Sequence, residues 1–221
     1  MTLRNRWFLS LGAFLLLATS ATAAEEFAPG TEVSRELVAH DGQRILFTVT
    51  PPEGRAVDPR IFDLFSVEDG AEKAANAPGL FRKGSDTEPV AGDAIDVSGY
   101  IVNVERVGAA ANTCTLQVAL AKFQKTKLTA DHYYYVRAKG PADMIVAAYG
   151  ITGDVDAAVF RGLETTGTLC SKSTKGFGQL DLAKCNQGSC NTSGDTLSGA
   201  IANFQTKDVE FVGAITITFV N

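Results

Sequence analysis

Two segments with a two-residue period constrain this chain more than any other feature. From Cys114, the residues Cys114, Leu116, Val118 and Leu120 alternate with Thr115, Gln117, Ala119 and Ala121. Near the C-terminus Val209, Phe211, Ile215, Ile217 and Phe219 alternate with Glu210, Thr216 and Thr218, and Gly213 is expected to mark a bulge or bend. Successive side chains of a strand point to opposite faces, so segments of this kind form strands with one buried face. Cys114 falls on the apolar parity, a buried position suited to a disulfide between two layers.

Four more strands are expected: Arg44–Thr50, stopped by Pro51 and Pro52; residues 100–107; His132–Lys139; and residues 144–149. Gly140-Pro141-Ala142-Asp143 reads as a hairpin connection between the last two. Helical signal is local. Asp58-Pro59 before Ile61, Phe62 and Phe65 predicts an N-capped helix of about two turns. Alanine-rich residues 72–77 predict a short turn of helix ended by Pro78-Gly79, and residues 195–203 a third helix through Leu197 and Ile201. Residues 66–99, rich in Gly, Pro, Asp, Ser and Ala, read as a long excursion between strands. Strands outnumber helices, which predicts a mainly β protein: a single antiparallel β-sandwich or jelly-roll-like domain over residues 25–221, with a few short helices in loops.

Residues 1–24 carry Arg4 and Arg6, an apolar run over 7–17, and small residues over 18–24, the three-part order of a secretory signal peptide. Cleavage is expected after Ala23 or Ala24. A membrane anchor needs about 18 or more consecutive apolar residues, which this run does not supply. The expected product is soluble, without a membrane span, and secreted or periplasmic. Losing the leader removes two basic residues and no acidic one, so the remainder is more acidic than the full chain at −5. That balance disfavours nucleic acid, which rewards phosphate neutralisation by Lys and Arg. A hydrophobic content of 45% excludes wholesale disorder.

In an oxidising compartment the 4 cysteines read as two disulfides. The turn formers Asn186-Gln187-Gly188-Ser189 favour Cys185 with Cys190, leaving Cys114 with Cys170. Their spacings form neither paired zinc knuckles nor the two-residue redox motif.

The sequence carries no nucleophile elbow, phosphate-binding glycine loop or His-Glu-x-x-His motif. His40 precedes the turn Asp41-Gly42, and His132 follows Asp131 at a strand start, where neighbours face opposite ways. Asp86, Glu88, Asp93 and Asp96 in one loop, and Asp154 and Asp156 in another, read as the surface acids of an acidic protein. Neither stretch has the calcium-loop pattern of a helix-loop-helix site, so no metal and no cofactor is expected.

The candidate binding residues lie in His132–Lys139. Alternation sets Tyr133, Tyr135, Arg137 and Lys139 on one face and Tyr134, Val136 and Ala138 on the other, which is the better core face. An exposed row of tyrosines and cations suits sugar rings or an acidic partner; tyrosines on strands also simply cover a sheet. The leading expectation is an exported, non-catalytic domain that binds a protein or glycan at the cell envelope. The alternatives are a subunit of a surface fibre or matrix, whose C-terminal strand completes a neighbour's sheet, and a carboxylate-based hydrolase of envelope polymers.

Overall fold

The computed structural model describes residues 26–38, 42, 44–68, 93–108, 115–120, 126–186 and 196–220. The expected leader, His40, Asp86, Glu88, the helical turn at 72–77, Cys114 and Cys190 lie outside the described residues.

The described residues form two stacked sheets. The first runs in the order β1 (Val33–Val38), β2 (Arg44–Thr50), β5 (Ile101–Val107), β8 (His132–Lys139), β13 (Leu197–Asn203), β10 (Asp156–Arg161), β11 (Thr168–Ser173). The second runs β12 (Leu180–Cys185), β9 (Ala142–Gly150), β14 (Val209–Val220), β6 (Thr115–Leu120), β3 (Phe65–Glu68). β7 (Thr126–Leu128) pairs with β14 and with the two-residue β4 (Ile95–Asp96). Pairing is antiparallel except at β5 with β8 and β4 with β7. The protein is a mainly β, two-sheet sandwich. No helix among the described residues is long and apolar enough to cross a membrane.

The alternation works as expected in β2, where Ile45, Phe47 and Val49 are buried, and in β8, where Tyr134, Val136 and Ala138 are buried. They meet Met144, Val146 and Ala148 of β9 and Val209, Phe211, Ile215, Ile217 and Phe219 of β14 in one core. Fully burying an aliphatic or aromatic side chain of this kind contributes about 1.5–3 kcal/mol, so this shared core is the main cohesion between the layers.

Several expectations require correction. The helix after Pro59 is a single short turn, Arg60–Asp63, in which Asp58 Oδ1 accepts the Arg60 N–H at 3.0 Å; Phe65 already belongs to β3. Residues 197–203 are not a helix but β13, buried along its whole length. Leu197 and Ile201 stand four apart, a spacing that shares one face in a helix and in a strand alike. Gly140 and Pro141 do not close a hairpin: β8 lies in the first sheet and β9 in the second, so the chain steps between layers there, with Gly140 at φ +99°. Gly213 causes no bulge, because β14 pairs with β9 without a register shift from Phe211 to Phe219.

The disulfide pairing also differs. Cys170 is joined to Cys185, fifteen residues away, and not to Cys114; Cys185 is therefore not joined to Cys190. The bond ties β11, at one edge of the first sheet, to β12, at the matching edge of the second. The turn formers at 186–189 favour a short loop, yet the facing sheet edges bring Cys170 and Cys185 into bonding distance.

Candidate functional site: an aromatic groove on the first sheet

The outer face of the first sheet carries a groove of about 240 Å³, walled by β8, β13, β10 and β11. Tyr133 and Tyr135 form one side, Phe160 and Leu169 another, and Ala158, Ala200 and Ala202 contribute small side chains between them. Because those alanines are small, the larger rings stand above the sheet and leave a hollow. The rings of Tyr133 and Tyr135 stack at 5.6 Å with planes 6° apart, and Phe204 meets Tyr133 edge-on at 5.5 Å. These are favourable geometries for the ring quadrupole.

Phe204 and Leu169 remain exposed, at 59% and 46%. A hydrogen-bonded turn holds Phe204 in place. The buried Asn203 side chain donates to the carbonyls of Leu128, Thr129 and Lys207 and accepts the Gln205 N–H. Gln205 in turn donates to the Asp154 carbonyl at 3.1 Å. A polar network therefore fixes an apolar ring in solvent.

The alternation of β8 is as expected: Tyr133, Tyr135, Arg137 and Lys139 share the outer face. Two features differ from a free row of tyrosines and cations. The tyrosines and Arg137 are half-buried, and the cations are paired. Arg137 forms a two-pronged ion pair with Glu164, through Nε to Oε2 at 3.0 Å and a second contact from its terminal nitrogen to Oε1. Lys139 Nζ lies 3.4 Å from Glu105. Burial works against a charged Glu164, but the hydrogen bonds and charge of Arg137, together with hydrogen bonds from the Glu164 backbone and Ser198, outweigh it and hold the carboxyl below its ordinary range. Arg137 thus buttresses the groove without lining it, while Tyr133 and Tyr135 do line it.

Asp156, Lys172 and Thr174 supply the polar groups of the groove. Asp156 also belongs to a second constellation. Carboxylate oxygens of Asp154, Asp156 and Asp181 lie within 4.8 Å of one another. Burial first, and then repulsion from Asp154 and Asp181, pushes Asp156 up to about 6, with Lys172 acting the other way. Burial and the charge of Asp181 likewise raise Asp154. Asp154 and Asp156 are therefore half-buried members of a cluster and not scattered surface acids.

Asp181 is the member that alternation hides. In β12 the leucines Leu180 and Leu182 read as the core face, but Asp181, Ala183 and Cys185 point inward and the leucines pack outward against Ala147, Val212 and Ala214. Asp96, from the other acidic loop, is absorbed by structure: it accepts from Ser98 Oγ at 2.5 Å and pairs with Arg55 at 3.4 Å. Asp93 is exposed. His132 is exposed, with Nδ1 2.8 Å from the Ala130 carbonyl oxygen.

No protein-family profile and no curated protein matches the chain. Among solved structures, one similar chain is PliG of Aeromonas hydrophila, described as a periplasmic lysozyme inhibitor of g-type lysozyme. The match covers 55% of this chain and 98% of that one, at 16% identity and a TM-score of 0.31. Agreement that loose leaves the functional reading to the residues themselves.

Proposed function

We propose that this is an exported, non-catalytic β-sandwich protein that binds a partner protein through the aromatic groove, in the periplasm or outside the cell. The observation that carries the reading is the exposed pair Phe204 and Leu169 beside the half-buried Tyr133 and Tyr135, around a hollow of about 240 Å³. Pockets for drug-sized ligands usually span about 300–1,000 Å³. This one suits a single large apolar side chain, the kind of anchor that dominates protein interfaces. A protein anchor is favoured over a glycan because aromatic rings and alanines line most of the groove, leaving few polar side chains to bind sugar hydroxyls. The three-part N-terminal sequence and the Cys170–Cys185 bond support an oxidising compartment.

The fibre reading loses its main support. β14 is flanked by β9 on one side and by β6 and β7 on the other, so the C-terminal strand completes its own sheet.

The test presents purified mature protein to native envelope extract and, in parallel, to a glycan array. The expected result is retention of a discrete protein that is lost on Phe204→Ala, with no glycan signal. Glycan binding that survives Phe204→Ala would overturn the reading.

A further inference from the structure

We propose that Asp154, Asp156 and Asp181 form a binding site for one divalent cation, with calcium as the fitting ion, which clamps the β9–β10 connection onto β12. The site touches the groove of the partner-binding reading through Asp156 alone, since neither Asp154 nor Asp181 lines it.

The cluster by itself would not carry this. Its third member does. Asp181 is fully buried, and only one of its carboxylate oxygens is used internally: Oδ1 accepts the Lys175 N–H at 2.7 Å. Oδ2 is buried with no hydrogen-bond partner among the described residues. A buried carboxylate oxygen without a donor is costly, because nothing replaces the water it has lost. Its carboxyl group belongs to a set of three carboxylates, and Lys172 is the cation that offsets charge on Asp156. A bound cation would satisfy the orphaned oxygen and offset the mutual repulsion together.

The distances fit. Ligand oxygens lie about 2.3–2.6 Å from calcium, so two oxygens on opposite sides of one ion stand at most about 5 Å apart. One oxygen from each of the three carboxylates lies within 4.8 Å of the others, inside that limit. Magnesium, with ligands at about 2.0–2.1 Å in a strict octahedron, demands a tighter set and keeps more water. Three carboxylates leave further positions of a calcium shell for water or backbone carbonyl oxygens.

The connection that carries Asp154 is already held in place. The N–H groups of Ile151 and Thr152 donate to the Glu210 carbonyl at 2.7 and 3.2 Å, and Thr152 Oγ1 accepts the Glu210 N–H at 2.8 Å. Gly153 packs its carbonyl so close to Gly150 that a Cβ there would lie 1.7 Å from it. Asp154 therefore leaves a tight, anchored turn, and Asp156 follows two residues later at the start of β10. Such a site is pre-organised, so binding orders little additional chain.

The mature protein, stripped with chelator and held at pH 7.5, is titrated calorimetrically with calcium chloride or magnesium chloride and melted with each. The expected result is one calcium per chain and a rise in Tm of about 5–10 °C when calcium exceeds its dissociation constant about 100-fold. Asp154→Asn, in a half-buried turn, keeps the fold and weakens calcium binding at least tenfold; Asp181→Asn removes the response. Absence of heat and of a Tm shift with either ion overturns the site. So does calcium binding that is unchanged in Asp154→Asn, and preference for magnesium overturns the choice of ion.

Discussion

Tyr134 shows how far one residue's chemistry can be read. Its place between Tyr133 and Tyr135 gives it the opposite face, and it is buried as alternation requires. What the sequence does not disclose is that its hydroxyl has no hydrogen-bond partner among the described residues, and that burial raises its pKa far above the ordinary phenol range. Removing an unsatisfied buried hydroxyl while keeping the ring relieves a penalty of about 1–3 kcal/mol. Tyr134→Phe is expected to leave the melting temperature unchanged or raise it; a clear fall in thermal denaturation would point to a donor or acceptor for the hydroxyl. Glu164 behaves in the opposite sense. Its folded-state pKa is lowered, so its contribution is fully present above the unfolded value of about 4.3 and is lost as pH falls through the lowered folded value. Glu164→Gln should cost about 2 kcal/mol at pH 7, and the gap to wild type should close in acid, as followed by urea titration across pH. Nothing local marked Glu164, because it lies 27 residues from Arg137.

At the scale of elements, Arg44–Thr50 and His132–Lys139 were legible, with the expected periods; the C-terminal β14 is a strand as expected, but its second face is buried too, Thr216 and Thr218 included. β13 was not legible, because its outward residues Ser198, Ala200 and Ala202 are small and buried, so neither face reads as polar. Gly199 has a packing role in β13. A Cβ there would lie 2.6 Å from Met144 Sδ and 2.8 Å from Val146 Cγ2, atoms of the facing sheet. Gly199→Ala is expected to overpack this contact and destabilise by about 1–3 kcal/mol, measured by chemical denaturation. The β11–β12 link is not legible in the sequence, because loop chemistry at 186–189 does not determine which sheet edges face one another. Replacing Cys170 and Cys185 with alanine should cost about 3 kcal/mol in the chain-entropy estimate for a loop of this length. Non-reducing peptide mapping should recover Cys170 and Cys185 in one linked pair.

At the scale of the whole molecule, two stacked sheets leave the outer face of the first free to carry a groove whose rings come from separate stretches of chain. Tyr133 and Tyr135 were legible from one strand. Phe160, Leu169 and Phe204 were not, because β10 and β11 meet β8 only through β13. The binding account rests on these rings acting at the surface and not in the core. The direct measurement is a double variant, Tyr133→Ala with Tyr135→Ala, assayed in parallel for retention of the captured partner and for thermal unfolding. The account predicts loss of retention with a melting temperature within about 4 °C of wild type, a stability change of about 1 kcal/mol for a chain of this size. Retention that persists, or that falls only in step with a collapse of the fold, would contradict it.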